Sequence, residues 1–495
     1  MSKRLSDATL ADLPNAVMRP RYDRRAVTTG IVHLGVGAFH RAHQAVYVDD
    51  VLAQDPHWGI VAASLRSPDT SDALEPQNGL YTLSIRSGEG EALRVIGSIG
   101  RVIVAPQAVD DLLGVMTDPR TRIVSLTVTE KGYCHDPATG MLNETHPDVV
   151  HDLQNPHQPR SAPGFIVEAL RRRRMAGIAP FTVLTCDNLP SNGRTVKRVL
   201  TRFAELSDPA FGRFVADEVS CPSTMVDRIV PATSDEDRQR IRETLGLSDA
   251  WPVVTEPFTQ WVIEDRFPQG RPAWEESGAQ FVTDVEPYEH MKLRLLNGSH
   301  STLAYLGYLA GYETVADTMA DGSFERLITG LMNQEVTPTL HMPADADLTA
   351  YKRALIERFK NPALRHRTWQ IAMDGSQKLP QRLLGTVRDR LRENASIDRL
   401  ALGVAAWMRY VTGVDEQGGV IDVRDPMAVR LRETADRAGG SPERLAGGLF
   451  AMREIFGDDL PRDPRFTGPV GTALARLYAQ GAKRTVAEWI ATVRP

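Results

Sequence analysis

The feature that most constrains the fold is a strand-like run that leads into two closely spaced glycines and then into a helix. Residues 31–34 are predicted to form the strand, and residues 43–52 carry apolar side chains at helical spacing. Between them, glycine permits a tight turn, and the amino end of a helix offers free N–H donors and positive potential. This order is typical of a turn that binds the pyrophosphate of a dinucleotide. The residues predicted to contact the cofactor here are Gly35, Gly37, Ala38 and Phe39.

The third glycine of the usual fingerprint is missing from this turn, and His40 stands in its place. A shortened fingerprint is compatible with a simple turn, but its position directly after the first predicted strand favours a nucleotide site. The second predicted strand ends before Asp69, whose carboxylate is predicted to accept hydrogen bonds from the adenosine ribose. Arg66 lies close by, and an arginine at this point can accommodate the 2′-phosphate of NADP.

The first half of the chain alternates short β-branched runs with helical stretches, which is the pattern of a parallel sheet with crossover helices. After about Tyr288 few strand signals remain. We therefore predict an α/β protein with a Rossmann-type NAD-binding domain over residues 1–286 and a mainly α-helical substrate-binding and catalytic domain over residues 287–495. The further predicted strands are residues 60–65, 93–96, 122–128 and 181–186, and the predicted helices of the second half are residues 291–309, 324–333, 348–359, 400–414 and 426–438.

The composition excludes several classes of function. A formal net charge of −5 provides no basic field for nucleic acid, and no apolar run approaches transmembrane length. Three cysteines in 495 residues, with no Cys-x-x-Cys pair, form neither a disulfide framework nor a thiolate zinc site. We expect a cytoplasmic protein that acts on a small molecule, without nucleic acid or membrane partners, as a monomer or a weak dimer.

The segment 291–300 carries the densest group of chemically useful side chains. In an α-helix, steps of about 100° would place Asn297 roughly 140° and His300 roughly 80° around the axis from Lys292, so the three would share one broad face. Gly298 inside such a helix costs about 1 kcal/mol relative to alanine, which indicates a close approach by another element. The same spacing also fits an exposed lysine, a capping asparagine and a core histidine.

Hydride transfer from a secondary alcohol requires a base for the hydroxyl proton and donors for the developing carbonyl oxygen. Lys292 can serve as that base if burial or a neighbouring cation lowers its pKa toward the working pH. The carboxamide of Asn297 would supply a neutral donor, and the imidazole of His300 could hold a substrate hydroxyl.

Polar residues also close two predicted strands, at the edge where open α/β sheets bind ligands. Asn188 follows the strand at residues 181–186 and would supply a second neutral donor. Thr129 follows the strand at residues 122–128 and is predicted to contact the cofactor. Lys131, two residues further on, is a rival for the base, although a lysine at this place would lie among nicotinamide and phosphate contacts.

The histidines raise the alternative of a metal-dependent enzyme. His40 and His43 resemble a ligand pair, and His290 and His300 add two imidazoles. A catalytic zinc site needs three protein ligands in fixed geometry, and the sequence has no His-Glu-x-x-His motif and no thiolate partner. We therefore predict that the protein uses no metal.

Five motifs, taken in order along the chain, resemble those of the long-chain mannitol dehydrogenase family of polyol dehydrogenases and reductases. The resemblance covers nearly the whole chain, and five motifs in order are more specific than any one of them. They are residues 35–43 (GVGAFHRAH), 129–133 (TEKGY), 186–188 (CDN), 225–229 (MVDRI) and 292–300 (KLRLLNGSH).

The resemblance implies a Rossmann-type first domain, NAD as the cofactor, a largely helical second domain and a catalytic lysine that needs no zinc. The matching residues are Lys292 for the lysine, Asn188 and Asn297 for the pair that polarises the carbonyl oxygen, His300 and Asp227 for substrate binding, and Glu130 for a glutamate that helps protons to reach solvent.

Within the family, residues 365–382 (RHRTWQIAMDGSQKLPQR) and 311–314 (GYET) resemble the branch that interconverts D-fructuronate and D-mannonate in hexuronate breakdown. Gln370 stands where the mannitol branch carries an arginine, which disfavours a plain mannitol enzyme. Lys378 is the first choice, and Arg367 the second, for the cation that meets a mannonate carboxylate. The alternatives are a dehydrogenase of neutral polyols such as mannitol, arabinitol or sorbitol, and an NAD-binding protein without turnover.

Overall fold

The computed structural model describes residues 3–136, 139–344 and 346–492. The chain divides into two compact units, Met1–Glu286 and Pro287–Pro495. Among the described residues, no helix is both long enough and apolar enough to cross a membrane.

The strands of the first unit form a parallel sheet and two smaller mixed sheets. The parallel sheet has the order β5-β2-β1-β6-β7, and the smaller sheets have the orders β11-β10-β8 and β4-β3-β9. Among its five strands, the parallel sheet has the order 3-2-1-4-5 of a Rossmann-type fold, as predicted. The strands are β1 (Thr29–Leu34), β2 (Gly59–Ser64), β3 (Tyr81–Ser87), β4 (Gly90–Ile96), β5 (Ile99–Val104), β6 (Ile123–Leu126), β7 (Thr182–Thr185), β8 (Thr224–Asp227), β9 (Val253–Thr255), β10 (Gln260–Glu264) and β11 (Gln280–Val282).

Helices connect these strands and make up most of the second unit. The α-helices up to the start of the second unit are α1 (Ala38–Ala42), α2 (Gln44–Val51), α3 (Asp69–Leu74), α4 (Val109–Thr117), α5 (Pro147–Gln154), α6 (Ala162–Met175), α7 (Asn192–Ser207), α8 (Pro209–Glu218), α9 (Asp235–Leu245) and α10 (Glu286–Met291). Those that follow are α11 (Gly298–Leu309), α12 (Val315–Ala320), α13 (Gly322–Gly330), α14 (Leu348–Lys360), α15 (Thr368–Ala372), α16 (Gly375–Leu379), α17 (Gly385–Arg392), α18 (Asp398–Tyr410), α19 (Ala428–Ala438), α20 (Pro442–Phe450), α21 (Arg453–Phe456) and α22 (Pro464–Thr492), the last kinked at Gly481. Short 3₁₀ turns lie at Asp7–Asp12, Arg24–Ala26, Pro56–Trp58, Glu75–Gln77, Ala105–Gln107, Glu130–Tyr133, Trp274–Ser277, Thr337–Thr339, Pro362–Leu364 and Leu460–Arg462.

The central strand β1 shows why the parallel sheet forms from these residues. Its side chains alternate between two separate cores, with Val32 and Leu34 packed on one face and Ile31 on the other. All three are fully buried, because helices cover both faces of the sheet. A strand buried on both faces has an almost continuous apolar sequence, and this run made the strand predictable.

One predicted strand lies in a different sheet from the one expected. Residues 93–96 belong to β4, which pairs antiparallel with β3 in a smaller sheet. The chain then turns at Gly97 and Ser98 and enters β5, the edge strand of the parallel sheet. The strand β5 was not among the predicted strands, because it follows β4 after only two residues.

Helices α11 and α18 pack against each other at the centre of the second unit. Both are buried almost all round, including Leu303, Leu306, Leu402 and Trp407. A surface helix has one apolar and one polar face. These two helices do not show that division, because neighbouring elements surround them on every side. The predicted helical character of this half is confirmed.

π-helical turns interrupt the predicted helices at Lys292–Asn297, Leu331–Val336 and Pro380–Leu384. In each turn, the N–H of the residue after it bonds to a carbonyl five residues earlier, as Gly298 does to Leu293. The predicted continuous helix over residues 291–309 is therefore wrong in this detail, because α10 passes through a wider turn before α11 begins.

Gly298 allows the first and third π turns to meet. A Cβ at this position would lie 2.8 Å from the carbonyl oxygen of Arg382 and 3.5 Å from Cδ2 of Leu383. The obstructing atom belongs to the backbone, which cannot move aside as a flexible side chain can. The close approach that the sequence indicated at Gly298 is made by the Pro380–Leu384 turn.

We expect Gly298→Ala to lower the free energy of unfolding by about 1–3 kcal/mol, because the added methyl overpacks a backbone contact. The matched control is Gly447→Ala in α20, where a Cβ would meet nothing within 4 Å. There the gain in helix propensity should raise the free energy of unfolding by about 0.5–1 kcal/mol. Urea unfolding measures both, and equal effects of the two substitutions would contradict the close packing of the turns.

Candidate active site

A cleft of about 1010 Å³ opens at the carboxyl edge of the parallel sheet in the first unit. It lies where the strand order reverses, between β1 and β6, which is the place where open α/β sheets bind ligands. The loops after β1, β2 and β6 line it, together with the start of α6. These lining stretches are residues 35–37, 64–67, 127–129 and 158–162.

The turn after β1 has the backbone form that a pyrophosphate site requires. Gly35 has a φ of +93°, and a Cβ on it would overlap the carbonyl oxygen of Thr127. Gly37 has a φ of −90°, and a Cβ there would meet no atom closer than the carbonyl oxygen of Gly35 at 3.9 Å. The fold therefore requires the first glycine, whereas the second leaves exposed backbone open to a ligand. Of the other predicted residues, Ala38 is exposed and Phe39 is half-buried in α1.

A stacked pair of histidines fills the position of the missing third glycine. The rings of His33 and His40 are nearly parallel, with centroids 3.4 Å apart, and both side chains are fully buried. His33 also hydrogen-bonds with the hydroxyls of Ser125 and Thr127, each at 2.8 Å, and Thr127 donates to the carbonyl oxygen of Gly35 at 2.7 Å. Burial lowers the pKa of His33 to about 3 and the pKa of His40 well below its usual value. Two neutral rings thus hold α1 against β1.

The loop after β6 is fixed by Asp187, which follows β7. Its carboxylate accepts the backbone N–H groups of Val128 and Thr129 at 2.9 and 3.1 Å and the hydroxyl of Tyr133 at 2.6 Å. Burial raises the pKa of Asp187, while these donors oppose that shift. Thr129 has a φ of 62°, which is rare for a threonine and shows that the loop is held tightly.

The structure places the other predicted residues of the first unit as follows. Thr129 and Lys131 line the cleft, and Glu130 is exposed on the same loop. Asn188 is exposed just beyond β7, and Asp227 is the buried last residue of β8.

After β2, the cleft is lined by residues 64–67, which include Arg66 and Ser67. Asp69, which the sequence predicted to bind ribose, is the exposed first residue of α3, and its carboxylate accepts the Ser67 hydroxyl at 3.0 Å. A cation, Arg66, and a hydroxyl, that of Ser67, therefore line this part of the cleft.

Cys134, His146 and Asp148 are candidate metal ligands at the cleft. One ligand atom of each lies within 4.8 Å of the others, and no other group of three was found among the described residues. The ring Nδ1 of His146 accepts the backbone N–H of Asp148 at 3.2 Å, so His146 caps α5. Burial raises the pKa of Cys134 to about 12, which favours a protonated thiol, whereas metals bind the thiolate. The three residues fit a local structural role better than a resident metal site.

In the second unit, Lys292, Asn297 and His300 lie on one continuous helical segment. Lys292 is the first residue of the Lys292–Asn297 π turn, Asn297 is the last, and His300 is in the first turn of α11. Hydrogen bonds in a π turn join residues five apart, so Lys292 and Asn297 lie closer to one line along the helix than in the predicted α-helix. Lys292 is 8% exposed and His300 is 7% exposed. A buried lysine and a carboxamide therefore share one wide turn.

His300 is surrounded by an aromatic ring and by basic groups. Its ring centroid lies 4.6 Å from that of Phe359 and 5.2 Å from that of His366, which stands perpendicular to it. Burial lowers the pKa of His300 well below its usual value, and the nearby His366, Arg358 and Arg382 lower it further. The imidazole is neutral and can hydrogen-bond a substrate hydroxyl without carrying charge.

The predicted carboxylate-binding residues have other partners. Lys378 donates from Nζ to two backbone carbonyls and lies 3.8 Å from the carboxylate of Asp374. The side chain of Arg367 is 47% exposed and lies 3.7 Å from Glu313. Gln370 is exposed on α15.

The sequence did not single out several residues that the structure brings to these places. Motif and periodicity arguments contain no signal that would stack His33 on His40 or bring Arg358 near His300. The tract at residues 365–382 contained His366 and Arg382, but their role could not be separated from that of the neighbouring cations. The residues concerned are His33, Arg358, His366 and Arg382.

Two family models match almost the whole chain. The mannitol dehydrogenase Rossmann domain matches residues 29–276, and the mannitol dehydrogenase C-terminal domain matches residues 284–478. D-mannonate oxidoreductase of Escherichia coli (strain K12) is 49% identical over 484 residues, which are 97% of this chain and 99% of the relative. The uncharacterized oxidoreductase YeiQ of the same strain is 50% identical over 479 residues, which are 96% and 97% of the two chains.

A solved structure shows the same fold. It is Pseudomonas fluorescens mannitol 2-dehydrogenase in a ternary complex with NAD and D-mannitol, with 39% sequence identity. The match has a TM-score of 0.87 and covers 99% of this chain and all of that one.

The two glycines of the turn after β1 should respond differently to alanine. We expect Gly35→Ala to lower the melting temperature and abolish dinucleotide binding, because the methyl overlaps backbone and φ is positive. Gly37→Ala should keep the melting temperature of the unmodified protein but raise the Kd for NADH at least about tenfold, because its methyl obstructs close approach of the pyrophosphate. Thermal unfolding and NADH fluorescence titration measure these effects. Unchanged NADH binding in Gly37→Ala would place the pyrophosphate elsewhere.

Proposed function

Because the chain belongs to the mannitol dehydrogenase family of oxidoreductases, we propose that it is an NAD-dependent enzyme that interconverts D-fructuronate and D-mannonate. The observation that carries the proposal is the buried Lys292 at the head of a π turn that ends in Asn297. Identity of 49% to D-mannonate oxidoreductase along nearly the whole chain supports the choice of substrate. The proposed substrate is thus a small sugar acid.

The cleft of the first unit fits a dinucleotide. The turn after β1 leaves open space beside Gly37, where a Cβ would meet no atom closer than 3.9 Å, and the cleft volume is ample for an extended ligand. We assign the turn from Gly35 to Phe39 to the pyrophosphate and the loop at Thr129 to the nicotinamide end. NADH, when bound, supplies the hydride that reduces the substrate carbonyl.

Lys292 is the proposed general acid and base. In the reducing direction its ammonium donates a proton to the carbonyl oxygen as that oxygen gains negative charge, and the neutral amine takes a proton from the hydroxyl in the reverse direction. The carboxamide N–H groups of Asn297 and Asn188 are proposed to hold this oxygen, and the neutral His300 to hold a neighbouring hydroxyl. Neutral donors suit this task, because they stabilise developing charge without competing for the proton.

We propose roles for five further residues. Asp227 is assigned to substrate hydroxyls and Glu130 to proton exchange with solvent, both from the family resemblance. Gln370, Lys378 and Arg367 are assigned to substrate binding, because they lie in the tract that resembles the D-mannonate branch. The chemistry needs no metal, because the lysine and the amide donors cover proton transfer and charge.

A neutral-polyol dehydrogenase is the second candidate. The solved relative with NAD and D-mannitol is similar over the whole chain, and the same lysine chemistry would serve mannitol, arabinitol or sorbitol. A protein that binds NAD without turnover is less well supported, since the lysine, both asparagines and the histidine are all present.

The lysine assignment predicts a large and selective loss of rate. In EDTA, Lys292→Met should lower kcat for D-fructuronate reduction by about 10²–10⁴-fold, the usual contribution of a general acid or base. The Kd for NADH should stay within about twofold of the unmodified enzyme. Nicotinamide absorbance at 340 nm measures turnover, and fluorescence titration measures binding.

The matched control is Lys131→Met, which removes the rival lysine from the cofactor cleft. It should raise KM for NADH while leaving kcat nearly unchanged. A collapse of kcat in Lys131→Met with normal kcat in Lys292→Met would reverse the assignment, and loss of the unmodified activity in EDTA would refute metal independence. Reduction of D-fructose in preference to D-fructuronate would move the enzyme to the neutral-polyol branch.

The cofactor choice should depend on Arg66 and Asp69 in opposite senses. Arg66→Ala should lower the ratio of kcat/KM for NADPH to kcat/KM for NADH about tenfold, since a lost charged hydrogen bond costs about 1.5 kcal/mol. Asp69→Ala should raise that ratio, because a carboxylate near the ribose repels a 2′-phosphate. Steady-state kinetics with both cofactors tests this pair. Identical ratios in both variants would show that neither side chain selects the cofactor.

A further inference from the structure

A group of basic side chains surrounds His300, and we refer to it as the basic cluster: His300, Arg358, His366 and Arg382. The ring of His366 stands perpendicular to that of His300 at 5.2 Å, and Arg358 is 7% exposed. Arg382 donates from Nη1 to the hydroxyl of Ser301 at 3.1 Å, and Ser301 is the residue next to His300. The cluster therefore combines two imidazoles and two guanidiniums in a largely buried place.

The charge of the basic cluster comes from its guanidiniums. Burial and the neighbouring Arg358 lower the pKa of His366 to about 4, and His300 is neutral for the same kind of reason. Guanidiniums remain protonated at any working pH, so Arg358 and Arg382 keep their positive charges. Positive charge gathered at a buried place attracts an anion, because the interior screens charges less than water does.

One atom of the cluster is short of a partner. The Nδ1 of His366 is buried and has no hydrogen-bond partner within the part of the chain that the structure describes. A buried polar atom without a hydrogen-bond partner destabilises the folded protein, and a ligand that bonds to it removes that penalty. His366 thus offers a ligand one hydrogen-bonding site beside the charged groups.

The position of Arg382 links the cluster to the lysine. Arg382 belongs to the Pro380–Leu384 π turn, whose backbone packs on Gly298, directly after the turn that carries Lys292 and Asn297. A substrate held at Lys292 by its carbonyl group is a short chain with a second polar end. The π-turn contact sets the distance between the group that transfers the proton and the group that carries fixed charge.

The cations that the sequence favoured are less suited to this task. Lys378 donates to the carbonyl oxygen of Met373 at 2.6 Å and also lies near Asp374, so its charge stabilises the loop before α16. Arg367 is half exposed and near Glu313. Each has a carboxylate close by that would repel a second anion.

We propose that Arg382 and His366 bind the carboxylate of the sugar acid, so that the basic cluster selects an anionic ketose over a neutral one. This inference rests on the proposed function and assigns its substrate selectivity to two residues. The planar guanidinium of Arg382 offers paired N–H donors that match a carboxylate, and His366 adds a contact from the side.

The test compares an acid with its neutral counterpart in the full-length enzyme. The measured quantity is kcat/KM for D-fructuronate divided by kcat/KM for D-fructose, with NADH in excess. Arg382→Gln should lower this ratio at least tenfold, mainly through KM for the acid. Arg382→Lys should recover part of the ratio, because it keeps the charge but not the paired donors. His366→Asn should lower the ratio by a smaller factor.

Two control variants separate this role from general damage. Arg392→Gln removes an exposed arginine of α17 that pairs with Asp389, and it should leave the ratio unchanged. Lys378→Gln removes the rival cation. The inference is overturned if Arg382→Gln lowers both kcat/KM values equally, if it changes neither, or if Lys378→Gln alone abolishes the preference for the acid.

A failure of the proposed function is distinguishable from a failure of this inference. An enzyme that reduces D-fructose but not D-fructuronate refutes the proposed substrate. The anion site is then tested by inhibition of fructose reduction with D-gluconate against sorbitol. Stronger inhibition by gluconate that is lost in Arg382→Gln supports the site, and equal inhibition by both compounds in the unmodified enzyme overturns it.

Discussion

The proposed chemistry of the second unit depends on the contact between Gly298 and the carbonyl oxygen of Arg382. The two backbones can meet only because position 298 has no side chain. One of the joined turns carries Lys292 and Asn297, and the other carries the side chain of Arg382. A backbone contact therefore holds the turn with the proposed proton-transfer group against the turn that carries a fixed positive charge.

The wide turns have identifiable causes in the sequence. Pro380 has no N–H, and the N–H of Gly385 bonds to its carbonyl oxygen, five residues back. The Lys292–Asn297 turn ends at Gly298, where the neighbouring backbone presses closest. π turns are less favourable than α-helix and occur often at functional sites, where the surrounding packing holds them. Here the third π turn supplies that packing for the first.

Sequence reasoning was sufficient for the fold class and the family, both of which are confirmed. Buried parallel strands such as β1 carry continuous apolar runs, which periodicity detects. The same method found part of β4 but did not predict β5 as a separate strand, because only Gly97 and Ser98 lie between the two. Sequence analysis selected Lys292 by its residue type. It did not detect the π turn, because one extra residue in a helical turn hardly changes the spacing of apolar residues.

Long-range contacts were the part that the sequence could not provide. Arg358 reaches His300 through the packing of α14 on the rest of the unit, and no local pattern encodes that approach. A lysine and a guanidinium suit different tasks at such a site. In the proposed mechanism, Lys292 gains and loses a proton in each cycle, whereas a group that binds the substrate carboxylate should keep its charge throughout. A guanidinium satisfies the second requirement because it does not titrate at working pH, and the neutral imidazoles of His300 and His366 add hydrogen bonds without adding charge. The proposed mechanism thus assigns substrate binding and proton transfer to different residues.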